Sequence, residues 1–160
     1  MKKLLYTVAL ALFALCFGNP AFADNNRHDD HARGSKLEGT WWLAVERPGG
    51  LPPFVSLHTY TAEGGMVGTN TSGTAGPTHG NWVKTGRGKY TVTFWAFRFD
   101  AARQHTGYNL VSINLRLVGP DHYRSVHFVQ IFDLNWGLVD TRYDNGAGTR
   151  LPVLHFPQQP

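Results

Sequence analysis

Two neighbouring β-type runs constrain the fold of this chain more than any other feature. Residues 89–99 and 108–118 are both rich in Val, Ile, Thr, Tyr, Phe and Trp, and a polar, glycine-containing connection joins them. In the second run Val111, Ile113 and Leu115 alternate with polar residues, which is a period of two that a helix cannot use. Strands of about ten residues with a local connection favour a closed antiparallel barrel over a small open sheet.

The rest of the chain carries the same type of pattern, with no convincing helical period. Short turn and loop signals, which include residues 72–80 and 144–148, separate the runs. The expected fold is therefore all-β, a single antiparallel up-and-down β-barrel of about eight strands, with a β-sandwich as the alternative. The other strand-like runs are residues 37–45, 54–61, 66–71, 81–85, 122–134, 138–143 and 149–155.

The N-terminal residues differ in character from the body of the chain. Lys2 and Lys3 precede an apolar run over residues 4–17, and Ala21-Phe22-Ala23 forms an A-x-A-like cleavage site. The apolar run is too short for a transmembrane helix. We therefore expect a bacterial Sec-type signal peptide at 1–23, a flexible segment at 24–36, a β-barrel domain at 37–155 and a tail at 156–160. The mature protein is expected to be periplasmic or secreted, with no integral membrane segment.

Cysteine content and charge narrow the function classes. The only cysteine, Cys16, lies in the predicted leader, so the mature chain must be held by packing and hydrogen bonds. The formal net charge is +4, and about half of it comes from the two leader lysines. A charge this small and scattered predicts neither a nucleic-acid partner nor a membrane-surface partner.

Familiar catalytic and cofactor motifs are absent from the sequence. It contains no Walker loop, hydrolase elbow, zinc-ligand pattern or dinucleotide fingerprint, so we expect no cofactor and no metal. What remains is an excess of aromatic and basic side chains on strands. An Arg or His facing an apolar barrel interior is costly unless it is paired or binds something. The predicted ligand-binding residues are His58, Tyr60, Trp82, Tyr90, Phe94, Arg98, Arg116 and His127.

Residues Gly39-Thr40-Trp41 on the first strand and Arg150 near the end of the chain resemble the calycin group, which includes lipocalins, fatty-acid-binding proteins and avidins. The resemblance is greatest to bacterial lipocalin-like domains. It implies that Trp41 packs across the closed end of the barrel against Arg150, with Arg142 as the alternative partner. A guanidinium stacked on an indole is physically reasonable there, and the role is structural.

These observations lead to two main functional hypotheses. The first is an exported barrel whose lumen binds a small, mainly hydrophobic or aromatic ligand. The second is a cofactor-free enzyme of isomerase, cyclase or dehydratase type. In that enzyme His58 or His127 would be the acid/base, and Tyr60 or Arg98 would stabilise an oxyanion.

Two weaker expectations concern partners. The loop at 72–80 could serve an interaction module. Strand 89–99 is apolar on both faces, and an exposed apolar face often marks an interface, so a homodimer is also possible.

Overall fold

The computed structural model describes residues 37–153, which form eight β-strands and no helix. No helix in this range could therefore span a membrane. The predicted signal peptide, the segment at 24–36 and the tail at 156–160 lie outside the described residues, as does the end of the last predicted strand. The strands are β1 Gly39–Glu46, β2 Phe54–Tyr60, β3 Gly65–Asn70, β4 Ala75–Gly86, β5 Lys89–Phe99, β6 His105–Leu117, β7 His122–Phe132 and β8 Leu138–Arg150.

The eight strands form one closed antiparallel barrel in chain order. Each strand pairs with its sequence neighbours, and β1 also pairs with β8, with Trp41 opposite Arg150 and Leu43 opposite Gly148. Closure leaves no strand edge unpaired, which removes the hazard of an exposed ladder. The prediction of an eight-stranded up-and-down barrel is confirmed, and the β-sandwich is excluded.

Alternation along each strand decides which side chains fill the interior. On β1 the residues Trp41, Leu43 and Val45 are buried while their neighbours are exposed. On β6 the buried residues are Val111, Ile113 and Leu115, the same face that the sequence pattern indicated. Every second side chain along a strand therefore points into the interior.

Strand β5 is apolar on both faces for two different reasons. Tyr90, Val92 and Phe94 fill the interior, whereas Trp95 and Phe97 are 42% and 54% exposed on the outer face. The outward rings belong to an aromatic cluster near the strand ends, in which Tyr108 and Trp136 stack with ring centroids 4.3 Å apart. The homodimer that this face suggested stays a prediction.

The predicted turn at residues 144–148 is wrong, because β8 runs unbroken from Leu138 to Arg150. Gly146 and Gly148 face the interior rather than forming a turn. A Cβ at Gly148 would lie 2.2 Å from the Tyr123 ring, and one at Gly146 would lie 2.7 Å from Nε2 of His127. These glycines make room for large side chains of β7. In a sequence, glycines with this role cannot be told apart from glycines that form a turn.

The predicted loop at 72–80 is also mostly strand. Strand β4 begins at Ala75, and Gly80 pairs with Phe94 of β5. A Cβ at Gly80 would lie 2.0 Å from the carbonyl oxygen of Thr93, so glycine here allows a close backbone approach. Only residues 71–74 remain as a connection, which leaves little loop for the interaction module considered above.

Trp41 and Arg150 close one end of the barrel. The guanidinium carbon of Arg150 lies 4.3 Å from the Trp41 ring centroid, and Trp41 Nε1 donates to the Leu37 carbonyl at 2.8 Å. Arg150 also donates to the Glu38 carbonyl and pairs with Asp121 at 3.2 Å. This is the pair that the sequence resemblance implied.

The glycine that precedes this tryptophan has a role of its own. Gly39 has a φ of 111°, and a Cβ there would lie 2.9 Å from Nη1 of Arg150. Both the backbone conformation and the space beside the guanidinium therefore favour glycine. The alternative partner, Arg142, pairs with Asp144 instead.

Replacing Gly148 with alanine should destabilise the barrel, because the new methyl group would overlap the ring of Tyr123. We expect a loss of about 1–3 kcal/mol in the free energy of unfolding, measured by urea denaturation. Gly86→Ala is the matched control, since its Cβ would find nothing nearer than 3.8 Å. Equal stabilities for the two variants would contradict the packing role of Gly148.

Candidate functional site

A cavity of about 80 Å³ lies in the barrel between its middle and the end opposite Trp41. At roughly 30 Å³ per water molecule it holds a few waters or a small organic group. Drug-sized ligands occupy at least about 300 Å³, so the site as it stands fits only a small guest. Its apolar lining is Leu43, Val45, Phe54, Ala75, Phe94, Ala96, Val111 and Val129, and its polar lining is Arg47, Ser56, His58, Asn70, Ser72, Thr74, Thr78, Asn109, His127, Arg142 and Asp144.

Two buried histidines form the inner part of the site. His58 is 3% exposed, its Nδ1 lies 3.3 Å from the Tyr60 hydroxyl, and its ring meets Phe94 edge-on at 5.6 Å. His127 is 4% exposed, and its Nε2 lies 2.9 Å from Oγ of Ser125. Strand alternation places both imidazoles inside, since each follows a buried residue by two positions.

Both imidazoles are held in the neutral form. Burial lowers the pKa of His58 from 6.5 to about 3, and the nearby His127 lowers it further as the smaller cause. Burial lowers the pKa of His127 from 6.5 to about 4. A neutral imidazole carries one donor and one acceptor nitrogen, so the pair suits hydrogen bonding to an uncharged group.

Two tyrosines lie below the histidines toward the closed end. Burial raises the pKa of Tyr60 well above its ordinary value, and the nearby Tyr123 raises it further. Burial raises the pKa of Tyr123 from 10 to about 12, although Tyr60 acts in the opposite direction. Tyr123 finds no partner within hydrogen-bonding distance and angle. Both phenols therefore remain protonated, and neither can act as a base at ordinary pH.

An ion pair lies nearer the open end of the cavity. The Asp144 carboxylate is 2% exposed and accepts from Nε of Arg142 at 3.1 Å and 3.3 Å. Burial raises the pKa of Asp144, while Arg142, and to a smaller extent Arg47, act to lower it. Arg47 also donates to the Pro52 carbonyl and lies over the Phe54 ring at 5.2 Å. Two guanidinium groups thus face one carboxylate at the entrance.

One polar atom of the cavity has no partner. The side-chain carbonyl Oδ1 of Asn109 is buried and makes no hydrogen bond. A buried acceptor left in this way costs about 1–3 kcal/mol. A guest that donates a hydrogen bond to Asn109 would remove that cost, so the atom marks where a ligand can gain affinity.

The structure brings together only part of the predicted ligand-binding set. His58, Phe94 and His127 line the cavity. Tyr60 is buried beside His58 and is not part of the lining. Trp82 and Tyr90 pack against each other in the core at 5.8 Å.

The two predicted arginines are placed differently. Arg98 is half-buried near the end of β5 and is not part of the lining. Arg116 lies exposed on the outer face, because strand alternation gives the interior to Leu115 and Leu117. Arg116 is therefore not part of the cavity inside the barrel, and its role in ligand binding stays a prediction.

Sequence reasoning missed the polar residues at the open end of the cavity. Asp144 falls in the predicted turn at 144–148, and Arg142, in the predicted strand 138–143, enters the sequence analysis only as an alternative partner of Trp41. Asn109 shares the face of Val111 and Ile113, so the period-two pattern of β6 could have placed it inside. Among residues 37–153 no group of three or more His, Cys, Asp or Glu side chains could hold a metal ion.

Comparisons with known proteins identify no family. No family model matches the chain, and no curated protein matches it. A solved structure titled "Structure of EF1p2_mFAP2b bound to DFHBI" is similar over 72% of this chain and 94% of that one. The sequence identity is 13% and the TM-score is 0.46.

The histidine pair predicts an acid-sensitive fold. The pKa of each histidine is 6.5 in the unfolded chain, but in the folded chain it is about 4 for His127 and about 3 for His58. Between these values the unfolded chain therefore binds protons that the folded chain does not. The two histidines therefore take nothing from the free energy of unfolding above pH 6.5. As the pH falls toward 4 the free energy of unfolding decreases, and the slope from these two groups approaches about 2–3 kcal/mol per pH unit.

Urea denaturation at a series of pH values measures this slope. His127→Asn should flatten it by about one proton, whereas Val126→Asn, on the exposed outer face of β7, removes no titratable group and should leave it unchanged. An unchanged slope in His127→Asn would contradict the assignment.

Proposed function

We propose that this chain is a binding protein whose barrel holds a small amphipathic ligand. The observation that carries the proposal is the cavity inside the barrel, which combines apolar walls with the unpartnered Asn109 carbonyl and two neutral histidines. The ligand's apolar part would lie against Leu43 and Val111. Its polar group would face the imidazoles and donate to Asn109.

The volume of the cavity limits which ligands can bind. With about 80 Å³ available, a long-chain lipid or a polycyclic dye does not fit unless side chains move. Small neutral molecules with a hydrogen-bond donor, such as simple phenols and amides, match the space and the polar groups. Several buried polar groups around a small volume favour selectivity over high affinity.

The enzyme hypothesis is less well supported by the same groups. A general acid or base works best with a pKa near the operating pH. The imidazoles of His58 and His127 titrate at about 3 and about 4, and burial keeps both tyrosines protonated. These side chains therefore suit recognition of a ligand better than proton transfer.

The proposal also includes export of the protein and a relationship to the calycin group. Residues 1–23 have the basic start, apolar run and small-residue cleavage site of a secretory leader. The Trp41–Arg150 stack at the closed end is the arrangement that the calycin resemblance implied. We place the mature barrel in the periplasm or outside the cell. N-terminal sequencing of protein recovered from a periplasmic extract, beginning at Asp24, would test this.

A cavity-filling variant tests the binding proposal. Ala96 lines the cavity and is 5% exposed, so Ala96→Leu should occupy the space that the ligand needs. Ala44→Leu makes the same change on the exposed outer face of β1. We expect phenol and acetamide to shift the amide NMR signals of Val111 and Val129 in the wild type and in Ala44→Leu. Affinity should fall at least tenfold in Ala96→Leu.

Two results would contradict the proposal. One is equal binding by both variants. The other is signal changes confined to the outer face. Urea denaturation of each variant checks that a loss of binding does not come from a loss of fold.

A further inference from the structure

Three basic side chains stand side by side on the outer wall of the barrel. Lys89 of β5 pairs in register with Arg116 of β6, and Arg116 pairs in register with Arg124 of β7. All three are exposed. Neighbouring strands lie about 4.8 Å apart, so the three backbone positions span roughly 10 Å.

Like charges directly opposite one another on a sheet are unfavourable. Among residues 37–153 no carboxylate stands in this row, although Glu46 lines the same outer groove of about 610 Å³ as the three basic residues. Asp121 is ion-paired with Arg150, and Glu46 lies two strands from Arg124, beyond Asn145. No ion pair within residues 37–153 involves any of the three basic side chains.

Three other arginines of the barrel have partners among the described residues. Arg142 is paired with Asp144, Arg150 stacks on Trp41, and Arg47 donates to a carbonyl oxygen. Within residues 37–153 the row thus places three cations side by side without an ion pair. The overall net charge is small, so the concentration of positive charge here is local.

A neighbouring amide extends the donor surface. Asn114, two residues before Arg116 on the same outer face, accepts a hydrogen bond from Oγ1 of Thr91 at 2.9 Å through Oδ1. Its side-chain carbonyl is therefore engaged, and its NH₂ group remains to donate. The outward donor groups at this place are two guanidiniums, one ammonium and one amide NH₂, and the Glu46 carboxylate lines the same groove.

We propose that Arg116 and Arg124, with Lys89 beside them, form a binding site for a phosphate group. Guanidinium groups bind phosphate oxygens in a bidentate manner, and two forks on adjacent strands can hold one phosphate between them. Lys89 adds a point charge on the far side of Arg116. The site is separate from the barrel cavity, because its residues lie on the opposite face of the sheet.

Nucleic acid is a less suitable occupant of this surface. Single-stranded nucleic acids bind through basic grooves in which exposed aromatic rings stack on the bases. The exposed aromatic rings of β5, at Trp95 and Phe97, lie near the other end of that strand, where they pack with the half-buried Tyr108 of β6. The phosphate is therefore either free or carried by a lipid headgroup.

The test compares two single substitutions that remove the same charge. Arg116→Gln removes the central member of the row, and Arg103→Gln removes an exposed arginine from the connection between β5 and β6 at the opposite end of the barrel. Inorganic phosphate is titrated into each protein by NMR at constant ionic strength. Vesicles of phosphatidylcholine, with and without phosphatidylglycerol, are sedimented with each protein.

We expect the wild type and Arg103→Gln to bind alike and Arg116→Gln to lose at least fivefold in affinity. Signals of Arg116 and Arg124 should shift with inorganic phosphate if the ligand is free phosphate. Binding only to vesicles that contain phosphatidylglycerol would assign the site to a lipid headgroup. Equal losses in both variants, or no binding of either probe by the wild type, would overturn the proposal.

The cavity-filling variant Ala96→Leu separates this proposal from the binding function of the lumen. It should bind phosphate as the wild type does, since Ala96 faces the interior of β5. Loss of phosphate binding in Ala96→Leu, with the fold intact, would contradict a separate outer site.

Discussion

The pairing of β1 with β8 is the constraint on which the rest of this structure depends. Once the sheet closes, the inward side chains of eight strands must share one enclosed volume. Large rings at Trp41 and Tyr123 occupy the closed end, with ring centroids 4.9 Å apart, and leave no room for side chains at certain opposing positions. Gly148 on β8 occupies such a position beside the Tyr123 ring, and Gly146 does the same beside His127. Arg150, on the same strand, then covers Trp41 from outside.

Beyond the packed end, the interior becomes polar and incompletely filled. The histidines at the middle are neutral because burial penalises their charged forms. The carboxylate of Asp144 lies against Arg142 at the open end, where Arg47 adds a second positive charge. The low dielectric constant of the interior makes these polar groups costly to bury. It would also strengthen any hydrogen bond that they form with a guest, relative to the same bond in water.

The outer wall is organised along the strands as well. Rings gather near the open end of the barrel, and the row of Lys89, Arg116 and Arg124 lies nearer the closed end. Every strand from β5 to β7 thus presents an apolar and a basic region on one face. The interior face of the same strands lines the cavity, so the two sides of the sheet can interact with different molecules independently.

The amino-acid sequence by itself determined the all-β class and the alternation of β6 and β7, because these follow from period-two patterning. The Trp41–Arg150 pair was implied by the resemblance of one short motif. The sequence also offered His58 and His127 as candidate lining residues, but it did not assign which strand faces point inward. Only the tertiary structure decided the roles of Gly146 and Gly148, since a glycine that forms a turn and one that makes room for a ring look alike in a sequence. The joining of Arg142 and Asp144 of β8 with Asn109 of β6 around one cavity likewise depended on how the strands meet when the sheet closes. That long-range register is set by packing across the barrel, which no local pattern contains.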